Sequence, residues 1–148
     1  MKTSQNGITL IKSFEGLCLM AYRCPAGRLT IGYGHTSNVT EGMAITELQA
    51  EKLLKQDICF AELAVDMLGK LTQNQYDALV SFVFNVGNRA FSSSRLRRYV
   101  LADPDDPAIR QEFLRWIHIT VKGKKQISQG LQNRRQAESN LYFKTEIS

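Results

Sequence analysis

Residues 14–36 read Phe-Glu-Gly-Leu-Cys-Leu-Met-Ala-Tyr-Arg-Cys-Pro-Ala-Gly-Arg-Leu-Thr-Ile-Gly-Tyr-Gly-His-Thr. Just before this stretch and into it, Ile8, Ile11, Phe14 and Leu17 recur at helical spacing, and the pattern ends at an acidic residue, Glu15. Beyond it, Leu19-Met20-Ala21-Tyr22 and Arg28-Leu29-Thr30-Ile31 are strand-like runs parted by Pro25-Ala26-Gly27, which predicts a short hairpin. Carboxylate, thiol and hydroxyl side chains are thus gathered where a helix meets a small sheet. The stretch is expected to be an active site.

Working outward, Thr3, Ser4 or Asn6 can cap the first helix, which runs to about Glu15. Residues 36–42 are polar and loop-like. Thr46 and Gln49 form a capping-box pattern that opens a second helix. Its apolar positions Leu54, Ile58, Ala61, Val65 and Leu68 keep helical spacing for about six turns, as far as Gly69, long enough to link two lobes. A second capping box, Thr72 and Gln75, introduces residues 76–87. These are apolar nearly all round and so predict a buried central helix stopped by Gly87.

Phe91-Ser92-Ser93-Ser94 reads as a turn and cap before a short basic helix at 94–102. Asp103-Pro104-Asp105-Asp106-Pro107 breaks the chain, and the helix after it carries Ile109, Phe113, Trp116 and Ile117. Residues 122–130 read as a basic loop. A last helix at about 132–143 is expected to turn Ala137, Leu141 and Asn133 inward, and the final residues are expected to be loose. The fold class is α+β and mostly α-helical. A single domain spans 1–148, with a small β-containing lobe at about 16–57 and a helical lobe built from about 1–15 and 70–148.

A chain of 148 residues suits one domain with a real core. With 43% apolar and 22% charged residues, the composition is that of an ordinary globular protein. No apolar run reaches the roughly 18–20 residues of a membrane span, and the polar start lacks the apolar stretch of a secretory leader. The net charge of +5 and a pI near 9.2 favour polyanionic partners: nucleic acid, anionic lipid or an anionic wall polymer. The basic residues cluster late, at Arg95, Arg97 and Arg98, at Lys122, Lys124 and Lys125, and at Arg134 and Arg135; the simplest reading of them is a solvated basic face. No nucleic-acid module is recognisable, so charge alone does not choose the partner. Three cysteines (Cys18, Cys24, Cys59) are too few for a disulfide framework, and His35 lies far from His118 in sequence. No metal and no cofactor are expected.

Taken singly, the chemical candidates are ambiguous. Glu15 has apolar neighbours of the kind that suit a proton-donating carboxyl group, yet a glutamate at a helix end is usually solvated. Cys24 beside Pro25 could be nucleophile, base or structural thiol. Thr30 is an ordinary strand residue, and neither a nucleophile elbow nor a phosphate loop is present. The spacing is more specific: Glu15, eight intervening residues, Cys24, five intervening residues, Thr30. This resembles the catalytic signature of the phage lysozymes (endolysins of the T-even-phage type), in which a Glu is followed by Asp or Cys and then by Thr. Dispersed motifs in the same order extend the resemblance over most of the chain. They are Phe14-Glu15-Gly16 and Ala21-Tyr22; Thr30-Ile31-Gly32-Tyr33-Gly34-His35-Thr36; Asn74-Gln75-Tyr76-Asp77-Ala78-Leu79 and Phe84-Asn85-Val86-Gly87; then Trp116, Gly130-Leu131 and Arg134-Arg135-x-x-Glu138.

The resemblance implies a lysozyme-like fold and a muramidase that cleaves the β-1,4 bond between N-acetylmuramic acid and N-acetylglucosamine in peptidoglycan. It implies Glu15 as general acid, Cys24 as the group across the scissile bond and Thr30 as the residue holding the attacking water. Thr36, Phe84 and, less closely, Ser94 match positions near the sugar cleft; His35 matches a supporting position, and Trp116 reads as core. A thiol departs from the commoner Asp. It is mostly neutral at pH 7, and a nearby Glu15 carboxylate is expected to push it further toward the neutral form. Three free thiols are expected, although a pairing of Cys24 with Cys18 or Cys59 in an oxidising periplasm would make a switch. The expected partners are peptidoglycan and the anionic cell-envelope surface, with no nucleic acid, for a monomer that a holin releases from the host cytoplasm. A lytic transglycosylase, or a wall-binding or nucleic-acid-binding protein without turnover, is the alternative.

Overall fold

The computed structural model describes residues 1–145; the end of the chain at 146–148, expected to be loose, lies outside the described residues. Helix α1 (Gln5–Glu15) is capped by Ser4, whose hydroxyl accepts from the Gly7 amide. Strands β1 (Cys18–Arg23) and β2 (Leu29–Gly32) pair antiparallel, with Tyr22 opposite Thr30. The 43–45 segment adds to the outer edge of β1: the Ala21 amide donates to Met43 O at 2.8 Å and the Ile45 amide to Leu19 O at 2.9 Å.

Both capping boxes form, opening α2 (Glu47–Asp66) at Thr46 and α3 (Gln73–Val86) at Thr72. Helix α2 turns Leu54, Ile58, Ala61 and Val65 inward, as their spacing predicts. Helix α3 is the hub. Its residues 74–83 are all buried, and it packs against α1, α2 and α7 (Gln129–Tyr142). Phe82 at its centre meets Phe91, Phe113 and Trp116 edge to face. Each such large apolar side chain contributes about 1.5–3 kcal/mol through burial. A small hairpin lobe and a larger helical lobe are thus joined by the long helix α2, the arrangement that the resemblance implies.

The structure differs from the sequence reading in the second half. The turn expected at 91–94 is preceded by a short helix, α4 (Asn88–Ser92), before α5 (Arg95–Ala102). Helix α6 (Ile109–Leu114) ends before Trp116 and Ile117. The basic loop is instead a second hairpin, β3 (His118–Val121) with β4 (Lys124–Ile127), and α7 starts at Gln129. The fully buried face of α7 is Arg134, Arg135, Glu138, Ser139 and Tyr142; of the residues expected there, Leu141 packs half-buried against the core, Ala137 is half-buried and Asn133 is exposed. Arg134 and Arg135 thus do not belong to a solvated basic face. No helix among the described residues is long and apolar enough to cross a membrane.

Candidate active site

Glu15 is the last residue of α1, where the helix dipole presents its negative end and a second negative charge is poorly placed. A buried cation offsets this. Arg134 Nη1 donates to Glu15 Oε2 at 2.5 Å, and the Glu15 side chain is 18% exposed. The Arg134 guanidinium also bonds Glu138 and the Ser81 carbonyl and lies over the Phe14 ring, so its position is fixed from four sides. The other carboxylate oxygen, Oε1, faces Gly34. A Cβ at Gly34 would run into that oxygen and stand 3.2 Å from Cδ, and the backbone there has φ +75°, so both the space and the conformation call for glycine.

Gly34 joins Glu15 to a cleft of about 350 Å³ that is also lined by Thr36, Ser37, Asp57, Phe60 and Phe84. The structure thus brings Thr36 and Phe84 to the same cleft as the Glu15 neighbour. His35 is buried beneath it with both ring nitrogens facing oxygen acceptors: Nδ1 is 2.7 Å from Asp57 Oδ2 and Nε2 is 2.9 Å from Ser37 O. Neither nitrogen is free to act on a substrate, which fits the supporting role expected of this residue.

Cys24 ends β1 at a tight turn: the Gly27 amide donates to Cys24 O at 2.7 Å and the Cys24 amide to Arg28 O at 3.0 Å. The turn aims amides at the sulfur. The Arg28 amide lowers the thiol pKa most, desolvation opposes it as the next-largest effect, and the Ala26 amide, Thr30 and the Arg28 charge each add a smaller lowering. The expectation that Glu15 would drive this thiol toward neutrality is therefore corrected, because hydrogen bonds within the hairpin favour the thiolate. Thr30 is buried, its hydroxyl donates to Arg28 O at 3.0 Å, and it lies close enough to the Cys24 sulfur to affect its pKa. Tyr22, paired with Thr30 across the hairpin, senses both sides of the site. Desolvation and then the charges of Cys18, Cys24 and Glu15 push its phenol above the usual range. All three cysteines are free.

Ser94 does not share the first cleft. It lines a second cavity of about 800 Å³ with Asn85, Trp116 and the root of the second hairpin. Its hydroxyl is already committed, accepting from the Arg97 amide at 3.1 Å as the cap of α5 and donating to Phe91 O at 2.7 Å. Residues 83–88 separate the two cavities, since Phe84 faces one while Asn85 and Val86 face the other. Among the described residues, no three His, Cys, Asp or Glu side chains gather to hold a metal ion.

Two contributors escaped the sequence reading. Arg134 as the partner of Glu15 carried one signal, the Arg134/Glu138 spacing of four that puts both on one helical face. Asp57 as the partner of His35 carried none, because 22 residues separate them and only the fold brings them together.

A family model described as phage lysozyme matches residues 12–138. The endolysin of Acyrthosiphon pisum secondary endosymbiont phage 1 is 46% identical over 144 residues, covering 96% of this chain and 98% of that protein. The solved endolysin of Escherichia coli O157:H7 phage FAHEc1 superposes with a TM-score of 0.89 at 40% identity, over 97% of this chain and 94% of the other. The muramidase domain of SpmX from Asticaccaulis excentricus gives 0.88 at 39% identity, over 97% and 99%. Motif order, fold and these similarities agree: the chain belongs to the phage lysozyme family and is a lysozyme-type hydrolase.

Proposed function

We propose that the chain is an endolysin with muramidase activity, hydrolysing the β-1,4 bond between N-acetylmuramic acid and N-acetylglucosamine in peptidoglycan so that bacterial cells lyse. The observation that carries this reading is the division of labour at Glu15: Arg134 holds Oε2, leaving Oε1 beside the cleft-lining Gly34. In the protonated form of Glu15 the hydrogen is therefore carried on Oε1 and passes to the leaving glycosidic oxygen, which leaves the carboxylate paired with Arg134. Across the scissile bond the thiolate fraction of Cys24, favoured by its lowered pKa, stabilises the oxocarbenium-like charge and polarises the attacking water, with Thr30 orienting it. Thr36 and Phe84 contact the sugar chain in the cleft; Ser94, whose hydroxyl is used as a cap, contributes shape to the adjoining cavity. The protein works as a monomer on the wall side of the inner membrane after a holin-type pore releases it.

The test is turbidity loss of permeabilised Gram-negative cells together with mass spectrometry of the released muropeptides. Wild-type protein lyses the cells and leaves reducing ends, while Glu15→Gln loses at least about a hundredfold in rate, the scale expected when a general acid is removed. Anhydromuropeptides among the products would assign a transglycosylase instead, and full activity of Glu15→Gln would remove Glu15 from the mechanism.

A further inference from the structure

We propose that the β3–β4 hairpin is an arm that docks the protein on an anionic lipid surface, a binding role separate from bond cleavage. Every residue of both strands is exposed. The ladder runs from His118 opposite Ile127 to Val121 opposite Lys124, and Lys122 and Gly123, both at positive φ, close the tip. The arm carries Lys122, Lys124 and Lys125 and no acidic residue between 118 and 127. None of these lysines has an ion-pair partner among the described residues.

Lysines on an exposed ribbon have a bland use, guarding free strand edges against pairing. The apolar residues flanking them do not fit that use: Ile119 and Val121, on the face that carries Lys124, are 44% and 38% exposed, and Ile127, on the face that carries Lys125, is 60% exposed. A lone two-stranded ribbon is marginally stable in water, and apolar side chains standing in solvent do not help it. A soluble polyanion would satisfy the lysines and leave Ile119, Val121 and Ile127 wet. A bilayer with anionic headgroups satisfies both sets, offering phosphates to the lysines and the acyl boundary to the β-branched side chains. The root is rigid enough to aim the arm, since the Ser128 amide donates to Ile117 O at 2.8 Å and the buried Arg135 donates to Trp116 O at 2.9 Å.

The test is co-sedimentation of the full chain with phosphatidylglycerol and with phosphatidylcholine vesicles, at low and high salt. Wild-type protein is expected to partition onto the anionic vesicles only and to be released in part by salt. Lys122→Gln with Lys124→Gln should weaken partitioning by more than tenfold, on the order of fivefold per lysine. Val121→Ser should weaken it severalfold and make the remainder fully salt-labile. Circular dichroism of both variants should match wild type, and hydrolysis of purified peptidoglycan, measured beside it, should be unchanged. Equal binding to both vesicle types, or partitioning untouched by the lysine pair, overturns the proposal. So does tighter binding to nucleic acid or a soluble anionic polymer that Val121→Ser leaves intact, and so does a concentration-dependent dimer that Val121→Ser abolishes.

Discussion

At Cys24 the neighbouring Arg28 amide, and after it the Ala26 amide, lower the thiol pKa, so the turn favours an anion there before any substrate arrives. The sign follows from the direction of the shift. A thiol whose pKa is lowered is ionised at pH values where an ordinary thiol is still protonated, and the thiolate is lost only as the pH falls through that lowered value. Iodoacetamide should therefore alkylate Cys24 at a pH where a small thiol peptide scarcely reacts, as followed by peptide mass spectrometry. Lytic rate should climb over the same interval, and Cys24→Asp, anionic throughout, should flatten that limb. If Cys24→Ser keeps full activity at every pH, the thiolate has no part in the reaction.

Gly34 offers a second test at this scale. Gly34→Ala places a methyl group against the Glu15 carboxylate and strains a backbone at φ +75°. The strain should cost about 1–2 kcal/mol of stability. Displacement of the acid by a fraction of an ångström should lower kcat up to about a hundredfold, measured on protein that still melts as a folded chain.

Among the elements, α5 separates a structural from a functional reading of Ser94. Its hydroxyl is the N-cap, so Ser94→Ala should lower stability by about 1 kcal/mol, visible as a fall in Tm, while the KM for peptidoglycan changes little. A large rise in KM with unchanged Tm would return Ser94 to the substrate. The same elements show how far a sequence can be read. Helices α2 and α3 were legible because capping and periodicity are local: Thr46 with Gln49, and Thr72 with Gln75, lie within one turn of each other. The β3–β4 hairpin was missed although His118-Ile119-Thr120-Val121 alternates, because its turn is Lys-Gly rather than Asn-Gly and its polar side chains resemble a loop. The Glu15–Cys24–Thr30 spacing is what points to the site proposed above. The partners Arg134 and Asp57 depend on tertiary packing that no local pattern encodes.

For the whole molecule, α1, α3 and α7 are tied by one buried polar cluster rather than by apolar contact alone. Glu138, fully buried, accepts from Ser81 at 2.6 Å, Arg135 at 2.6 Å and Arg134 at 3.2 Å, and Arg134 carries the link on to Glu15. Removing one charge from such a cluster leaves the others uncompensated. Glu138→Gln should cost about 3–5 kcal/mol, measured from denaturant midpoints. Activity should fall with stability, since Arg134 would lose the partner that fixes it under Glu15.

Trp116 is the single tryptophan, and it meets Phe82 edge to face at 5.6 Å inside the helical half. Its emission is therefore blind to the hairpin half, where Cys24 and Thr30 sit. A melting curve followed at tryptophan wavelengths times the loosening of the helical core alone, whereas hydrogen exchange of the amide of buried Ile31, which donates to His35 O at 2.9 Å, times the hairpin. Laid over each other, the two curves tell whether the walls of the cleft come apart together or one before the other.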